Sequence, residues 1–295
     1  MKVTVKAYAK INLMLDICAL RNDGYHDLFM LMQSVGIYDT VSVERIKGRE
    51  TVITSNLEDI PLDERNIAHK AAQAFFEAAK IRVTSRGIHI DIQKRIPHAA
   101  GLAGGSADGA AVIVALNEIY KTDLSDDALC RIGVKVGADV PFCITGGTLL
   151  AQGIGEVLSA VKPLRRCYIV LAKPRQAVNT GKAFRQFDEC GKVHNPDCLG
   201  MLCAVQSRNL ADISAKLENV FEQFIEVPSR IDIKQTMRAH GALGACMSGS
   251  GPTAYGIFEK KENAEAAAAA LREYVSEVYV TTPVNKGCKI TEITE

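Results

Sequence analysis

PHAAGLAGGSADGA, residues 97–110, is the stretch of this sequence that decides how the chain folds. Just before it, Ile88, Ile90 and Ile92 alternate with polar residues, which predicts a half-buried strand. Just after it, residues 108–120 carry apolar side chains at helical spacing. The small residues between strand and helix leave backbone N–H groups accessible at the positive end of the helix dipole. A phosphate is therefore the ligand that this stretch predicts.

Two common phosphate-binding motifs are absent from this stretch. A P-loop requires a lysine directly after its last glycine, whereas Gly105 is followed by Ser106. The dinucleotide fingerprint requires the spacing Gly-x-Gly-x-x-Gly, which Gly101, Gly104 and Gly105 do not have. The alternative that remains open is a flexible turn followed by a helix of small residues that packs tightly against a sheet.

Charge over the 295 residues is balanced, with 35 basic and 34 acidic side chains. Such a chain has no excess of positive charge that would attract nucleic acid or a membrane surface. A phosphate must therefore be bound by a few groups of one local site. The nine cysteines form no CxxC pair and have no histidines clustered near them, which predicts reduced thiols, no metal site and a cytoplasmic location. No apolar run approaches the roughly 20 residues that span a bilayer, so no membrane partner is expected.

The order of the predicted elements indicates an α+β protein whose two halves divide near residue 160. Residues 161–295 follow the order strand, helices, two strands, helix and strand, which is that of a ferredoxin-like split βαβ fold. The tail from residue 283 onward either completes a sheet edge or is disordered. Individual predictions include strands over 2–18 and 39–46, a turn over 137–142, and helices over 65–80, 209–224 and 229–240.

Two charged residues stand out because their neighbours are apolar. Lys10 lies between Ala9 and Ile11 and is closely followed by Asn12. It is either an edge-strand lysine whose stem lies on the sheet or a lysine that reaches into a cleft to meet anionic oxygens. Asp139 lies in a short turn, where an aspartate either bonds its own backbone or, beside a lysine in a cleft, acts as a general base.

Three further polar residues are candidates for ligand contacts. Tyr25 and His26 follow the turn at 22–24, where they either bind a planar base by stacking and hydrogen bonding or pack on the surface. Asn66 begins the helix predicted over 65–80, where it either caps the helix or is free to meet a ligand.

Three motifs, in their order and spacing, resemble those of the GHMP kinases, the superfamily of galactokinase, homoserine kinase, mevalonate kinase and phosphomevalonate kinase. They are AYAKINL at 7–13, PHAAGLAGGSADGAA at 97–111 and GACMSGSGPTAYGIF at 244–258. The resemblance covers nearly the whole chain and implies the two-domain GHMP kinase fold. It implies an ATP-binding domain over 1–160, similar to a protein of the small ribosomal subunit, and a ferredoxin-like C-terminal domain over 161–295.

Within the superfamily, the resemblance is greatest to a branch that acts on cytidine diphosphate methylerythritol. The matching segments are DGYHDL at 23–28, RNIAHKAA at 65–72, GADVPF at 137–142 and GIGE at 153–156. Members of this branch phosphorylate a tertiary hydroxyl of that compound in the non-mevalonate isoprenoid pathway. The resemblance therefore implies a cytidylyl small-molecule substrate, with ATP and Mg²⁺ as cofactors. We expect a monomer or a weak homodimer.

The resemblance also implies a role for each matching position. Lys10 and Asp139 are implied to be the catalytic pair. The residues implied to contact ATP are Asn66, Lys94, Pro97, Ala99, Ala100, Gly101, Leu102, Ala103, Gly104, Gly105, Ser106 and Ala107. Those implied to contact the substrate are Asn12, Tyr25, His26, Thr180, Phe184, Gly249 and Ser250, with the rings of Tyr25, His26 and Phe184 around the cytosine. No residue is assigned as a metal ligand, because Ala107 leaves Ser106 as the only hydroxyl of the loop.

Two other classes of function stay open. The first is a sister kinase for homoserine or mevalonate-type alcohols, or the related diphosphomevalonate decarboxylase, and the Tyr25-His26 pair argues against both. The second is a non-catalytic module that binds a nucleotide or RNA. Such a module does not need both Lys10 and Asp139, and a net charge of +1 makes nucleic acid a poor partner.

Overall fold

The computed structural model describes all 295 residues, and its strands form two sheets. The strands are β1 (Lys2–Leu20), β2 (His26–Arg45), β3 (Thr51–Ser55), β4 (Ile88–Gln93), β5 (Thr148–Gln152), β6 (Val157–Ala160), β7 (Tyr168–Lys173), β8 (Glu218–Asn219), β9 (Gly244–Met247), β10 (Ala254–Phe258), β11 (Glu277–Thr281) and β12 (Cys288–Thr294). The helices are α1 (Ile67–Ala78), α2 (Gly104–Ile119), α3 (Asp126–Val134), α4 (Val140–Thr145), α5 (Thr180–Glu189), α6 (Cys198–Ser207), α7 (Leu210–Ala215), α8 (Arg230–Ala239) and α9 (Lys261–Arg272). Short 3₁₀ turns occur at Val83–Ser85 and Val220–Gln223.

The larger sheet has eight strands and follows the path β12-β1-β2-β4-β3. Strands β5 and β6 extend from β2, and β8 pairs with β1. Along β1, every second side chain from Val3 to Leu13 is fully buried, because the pleat turns one face of the strand toward the core. Ile88, Ile90 and Ile92 of β4 are buried in the same way, which confirms the strand predicted ahead of the phosphate loop.

The smaller sheet has four strands in the order β11-β7-β10-β9, and all its neighbours are antiparallel. Along the chain, its elements follow the order β7-α8-β9-β10-α9-β11, with α5, α6 and α7 inserted before α8. Met237 of α8 and Leu271 of α9 pack with Phe258 of β10 in a buried apolar cluster. This arrangement confirms the α+β class and the ferredoxin-like order predicted for the second half.

Several elements differ from their predicted bounds. Strand β2 is much longer than the strand predicted over 39–46, because irregularities in its pairing with β1 interrupt the alternation of side chains. Helix α6 was not predicted, since it buries only three side chains and its apolar periodicity is weak. The region 209–224 contains α7, β8 and a 3₁₀ turn instead of one helix. The turn predicted over 137–142 leads directly into the short helix α4.

The C-terminal tail returns to the first half of the molecule. Strand β12 pairs antiparallel with β1, from Lys2 opposite Thr294 to Ala7 opposite Cys288. The tail thus completes an edge of the larger sheet. This places β12 in the sheet of the first half, whereas the predicted second domain, 161–295, includes it. The division at residue 160 otherwise remains a prediction. None of the helices combines the length and the apolar character needed to cross a membrane.

Candidate active site

A cavity of about 870 Å³ lies between the phosphate loop and α5. Its volume is within the range of pockets that bind small molecules. Eighteen of the 21 predicted site residues line it: Lys10, Tyr25, His26, Asn66, Lys94, Pro97, Ala99, Ala100, Gly101, Ala103, Gly104, Gly105, Ser106, Asp139, Thr180, Phe184, Gly249 and Ser250. The other three, Asn12, Leu102 and Ala107, lie behind the wall and are almost completely buried.

The first turn of α2 points free backbone N–H groups at this cavity. The N-cap, Ala103, has a left-handed backbone with φ of 58° and offers no side-chain cap. The amides of Gly104, Gly105 and Ser106 consequently have no partner within the protein. The amide of Ala107 donates to the carbonyl of Ala103 at 2.9 Å, so Ala107 closes the first turn and has no N–H left for a ligand. The ATP contact predicted for Ala107 stays a prediction, and its amide cannot supply it.

The phosphate loop is fixed against the loop between β9 and β10. Ser248 Oγ donates to the carbonyl of Gly101 at 2.8 Å, and the amide of Thr253 donates to the carbonyl of Ala100. Gly101 has a φ of +74°, and a Cβ atom there would overlap the carbonyl oxygen of Ser248. Glycine is required at this point because both the left-handed backbone and the close approach exclude a side chain. The backbone carbonyl of Leu102 accepts a hydrogen bond from the amide of Lys10 at 3.1 Å, and the ATP contact predicted for Leu102 stays a prediction.

The ammonium of Lys10 lies at the cavity wall, close to the carboxylate of Asp139. Irregularities on either side of Lys10, at Tyr8/Ala9 and at Asn12/Met14, interrupt the β1–β2 pairing and re-aim the strand locally. Lys10 Nζ donates to Asn12 Oδ1 at 2.8 Å and lies 3.6 Å from Asp139 Oδ2. The Lys10 side chain is 5% exposed and that of Asp139 is 30% exposed, so the carboxylate is the more accessible partner.

Asp139 occupies the N-cap position of α4, but its side chain does not cap the helix. No hydrogen bond joins the carboxylate to its own backbone, which removes the structural alternative considered for this residue. The carboxylate is thus available to a ligand in the cavity.

Asn12 holds Lys10 in place from behind. It is fully buried, and its Oδ1 also accepts a hydrogen bond from the amide of Gly249 at 3.0 Å. The hydroxyl of Tyr255 donates to the backbone carbonyl of Asn12 at 2.7 Å. The side chain of Asn12 thus joins β1 to the Ser-Gly-Ser-Gly loop of the second half, and the substrate contact predicted for it stays a prediction.

Lys94 lies between two buried carboxylates. Its Nζ donates to Asp39 Oδ2 at 2.5 Å and to Asp108 Oδ2 at 2.7 Å. Asp39 also accepts the amide hydrogens of Arg95 and Ile96. Burial raises the pKa of Asp108 to about 8, against the opposing pull of the Lys94 ammonium. The Lys94 charge is thus balanced within the protein by its carboxylate partners, and the ATP contact predicted for Lys94 stays a prediction.

Sequence reasoning assigned no role in the site to either carboxylate, although each had a signal. Asp39 shares a strand face with Val41 and Val43, so the alternation turns it inward. Asp108 shares a helix face with Ala111 and Ala115, so helical periodicity buries it.

A cluster of aromatic rings borders the other end of the cavity. The rings of His26 and Phe184 are stacked, with centroids 5.3 Å apart and planes inclined by 19°. The His26 Nε2 atom also lies 2.8 Å from Asp188 Oδ1. Tyr25 lies at the rim of the cavity with 61% of its surface exposed. Sequence reasoning missed Asp188, whose signal is its position one helical turn after Phe184.

Hydroxyl and amide groups complete the lining. Thr180 Oγ1 and Ser250 Oγ are 3.0 Å apart and join the start of α5 to the loop after β9. Asn66 caps α1 by accepting from the amide of Ala68 at 2.9 Å, and it also lines the cavity. Both alternatives considered for Asn66 are therefore compatible with its position.

Two family models match the chain. The model of the GHMP kinases N terminal domain matches residues 66–147, which include the phosphate loop and Asp139. The model of the GHMP kinases C terminal matches residues 192–277, which include the Ser-Gly-Ser-Gly loop.

Curated relatives are similar over almost their whole length. The chain is 42% identical to a 4-diphosphocytidyl-2-C-methyl-D-erythritol kinase of Clostridium acetobutylicum over 96% of this chain and 100% of the relative. It is 41% identical to the kinase of the same name from Caldicellulosiruptor bescii, over 94% of this chain and 97% of the relative.

Solved structures share the same architecture. A crystal structure of 4-(cytidine 5'-diphospho)-2C-methyl-D-erythritol kinase superposes with a TM-score of 0.75 at 30% identity, covering 96% of this chain and 99% of the other. A homoserine kinase from Cytophaga hutchinsonii superposes with a TM-score of 0.77 at 20% identity, covering 98% and 97%, and this likeness concerns the fold alone.

Proposed function

This chain belongs to the GHMP kinases and, within them, to the family of 4-diphosphocytidyl-2-C-methyl-D-erythritol kinases, and we propose that it phosphorylates the tertiary 2-hydroxyl of that cytidylyl alcohol with ATP. The product belongs to the non-mevalonate route to isoprenoid precursors. The observation that carries the proposal is that the Lys10–Asp139 pair and the free amides of α2 line one cavity. Phosphoryl transfer needs this combination, because it depends mainly on positioning and on charge neutralisation.

The start of α2 is the proposed cradle of the ATP phosphates. The amides of Gly104, Gly105 and Ser106 donate hydrogen bonds to the β- and γ-phosphate oxygens, and the helix dipole adds its positive end. The remainder of the nucleotide contacts the other predicted ATP residues that line the cavity, among them Asn66 and Pro97.

Asp139 and Lys10 act on the hydroxyl that receives the phosphoryl group. Asp139 accepts a hydrogen bond from this hydroxyl and takes its proton as the oxygen attacks the γ-phosphorus, while the bond from that phosphorus to ADP breaks and ADP leaves. Lys10 stabilises the Asp139 carboxylate and offsets negative charge near the transferred group. Asn12 contributes indirectly, because its Oδ1 positions the Lys10 ammonium.

Mg²⁺ is proposed as the metal cofactor, and the residues of the cavity fit a metal held mostly by phosphate oxygens. The chain brings no three His, Cys, Asp or Glu side chains together, so it forms no all-protein metal cage. Its own candidate ligands are the Ser106 hydroxyl and Asp108 Oδ1, a buried oxygen without a hydrogen-bond partner in the cavity lining. When bound, Mg²⁺ supplies neutralisation of the phosphate charge.

The aromatic end of the cavity is the proposed cytidine site. Tyr25 and Phe184 provide ring faces for stacking, and His26 provides hydrogen-bonding groups that select cytosine. Thr180, Gly249 and Ser250 border the path from this end toward Lys10. We also propose that the protein works in the cytoplasm, as a monomer or a weak homodimer.

A coupled turnover assay tests the proposal. The purified protein is offered ATP with 4-diphosphocytidyl-2-C-methyl-D-erythritol, homoserine or mevalonate in parallel. We expect ADP release only with the cytidylyl alcohol. Turnover with homoserine or mevalonate instead, or a folded protein that consumes no ATP with the cytidylyl alcohol, would contradict the proposal.

A further inference from the structure

One face of helix α5 holds the His26 side chain from three sides. His26 stacks on Phe184, and the ring of Phe187 meets it edge-on at 5.6 Å with an angle of 90°. One residue further on, Asp188 Oδ1 lies 2.8 Å from His26 Nε2. The His26 side chain is only 6% exposed, whereas that of Asp188 is 45% exposed. The orientation of the imidazole is therefore set by the helix before any ligand arrives.

The contact with Asp188 decides which ring nitrogen of His26 carries the hydrogen. A carboxylate only accepts hydrogen bonds, so Nε2 must donate to it. A neutral imidazole has a single N–H, and its second nitrogen is then an acceptor. Nδ1 makes no hydrogen bond within the protein, and His26 lines the cavity. In the neutral ring, Nδ1 therefore carries a lone pair, and it is the ring nitrogen left free for a ligand.

The ring geometry favours an in-plane partner for Nδ1. Because the planes of His26 and Phe184 differ by only 19°, a base coplanar with His26 also lies nearly parallel to the Phe184 ring. Such a base stacks on Phe184 while its edge meets His26. A cytosine presents its 4-amino group at that edge, which donates, whereas a uracil presents O4, which only accepts.

We propose that Asp188 is a specificity-determining positioning residue: it fixes His26 as the Nε2–H tautomer, so that Nδ1 accepts from a cytosine amino group and repels uracil O4. This inference rests on the proposed function, since it assigns the base to the aromatic end of the cavity. Asp188 itself need not touch the substrate, because it acts through the His26 ring.

Replacement of the carboxylate by an amide tests the inference. In the Asp188→Asn variant the amide group can donate to Nε2, which permits the Nδ1–H tautomer and a favourable contact with uracil O4. Calorimetric titration with CDP and with UDP measures the preference without requiring turnover. We expect wild-type protein to bind CDP more tightly than UDP. In the variant we expect the ratio of the UDP to the CDP dissociation constant to fall about tenfold or more, because one hydrogen bond to the base is exchanged for a repulsion.

A spectroscopic readout follows the tautomer directly. The ¹⁵N shifts of the His26 ring in the ligand-free protein, measured at a pH where imidazole is neutral, distinguish Nε2–H from Nδ1–H. We expect the Nε2–H form in wild type and a mixture in Asp188→Asn. Glu189→Gln is the matched control, because Glu189 is the exposed neighbour on the same helix and makes no hydrogen bond. This control should leave the tautomer and the CDP preference unchanged.

The outcomes separate this inference from the proposed function. If wild type shows no preference for CDP, or if Asp188→Asn keeps both the preference and the Nε2–H form, the role of Asp188 is overturned. If the titrations behave as expected but the cytidylyl alcohol is not phosphorylated, the proposed reaction fails while the assignment of Asp188 stands. A change of kcat without a change of the CDP to UDP ratio also counts against the inference.

Discussion

Lys10 Nζ lies 3.6 Å from Asp139 Oδ2, although the two residues come from opposite ends of the predicted N-terminal half. This separation is longer than a direct hydrogen bond, so the two groups attract each other without being locked together. The ammonium is instead anchored to Asn12 Oδ1 at 2.8 Å. The Asp139 carboxylate is therefore beside a positive charge while it keeps its hydrogen-bonding capacity for a substrate hydroxyl.

The first prediction concerns the hydrogen bond from Lys10 Nζ to Asn12 Oδ1. Asn12→Ala removes the acceptor of Lys10 and of the Gly249 amide, so the ammonium loses its position. We expect kcat to fall about 10- to 100-fold, because small misplacements of catalytic groups are costly. We also expect the free energy of unfolding to fall by about 1–3 kcal/mol, since a buried N–H loses its partner.

Steady-state kinetics and urea unfolding check this prediction. Asn117→Ala is the control, because Asn117 also accepts two hydrogen bonds but lies at the far end of α2. It should lose stability and keep kcat. An Asn12→Ala enzyme with normal turnover would show that Lys10 does not depend on this anchor.

The second prediction concerns cytidine binding. Tyr25→Ala removes a ring at the cavity rim, and His26→Ala removes the hydrogen-bonding ring beside it. We expect each variant to raise KM for the cytidylyl alcohol about 10- to 100-fold, since base stacking and a buried hydrogen bond are each worth about 1–3 kcal/mol. KM for ATP should not change. Tyr25→Phe keeps the ring and should behave like wild type, whereas unchanged KM in both alanine variants would place the cytidine elsewhere.

The third prediction concerns the contact between the two glycine loops. Gly101→Ala would push a Cβ atom into the carbonyl of Ser248, so we expect unfolding free energy to fall by about 3 kcal/mol or more, together with weaker ATP binding. Gly191→Ala is the control, because Gly191 has a similar φ of +77° but open space around its Cα. It should cost only about 1 kcal/mol of backbone strain. Equal losses in the two variants would rule out the steric argument.

The fourth prediction concerns the buried Lys94–Asp39–Asp108 cluster. Burial raises the pKa of Asp108 from an ordinary value of 3.8 to about 8. From about pH 4 to pH 8 the folded protein therefore keeps a proton that the unfolded chain has lost, so this group lowers stability as pH rises. Above about pH 8 both states are ionised and its contribution becomes constant.

Urea unfolding of wild type and Asp108→Asn across this pH range checks the sign. The stability of wild type relative to the variant should fall by about 1.4 kcal/mol per pH unit below pH 8 and level off above it. The measurement is made without nucleotide or Mg²⁺. Parallel stability profiles for the two proteins would mean that Asp108 is ionised in the folded state.

Much of this architecture follows from local patterns in the sequence. The alternation of Ile88, Ile90 and Ile92 is sufficient for β4, because one strand face is buried throughout. The order of strands and helices after residue 160 is sufficient for the ferredoxin-like sheet. The long β2 is harder to predict, because bulges shift its register and break the period of two on which the prediction depends.

In the site, likewise, features set by short sequence motifs could be predicted, and features set by contacts between distant segments could not. The resemblance of short motifs indicated which residues gather around the cavity, since those motifs carry the glycines and the charged pair. It gave no measure of orientation: Asn12 turns behind Lys10, and the Lys94 ammonium turns toward Asp39 and Asp108. The Lys94–Asp39 and Gly249–Asn12 contacts join segments far apart in the chain, so no spacing rule within one segment reveals them.

Asp139→Asn tests the central claim most directly, because it removes the charge of the carboxylate and keeps its shape. We expect kcat with the cytidylyl alcohol to fall about 10²- to 10⁴-fold, while the dissociation constants of ATP and of the alcohol stay near those of wild type. Asp127→Asn, at an exposed position in α3, should keep full turnover. An Asp139→Asn enzyme with wild-type kcat would contradict the assignment of Asp139 as the general base.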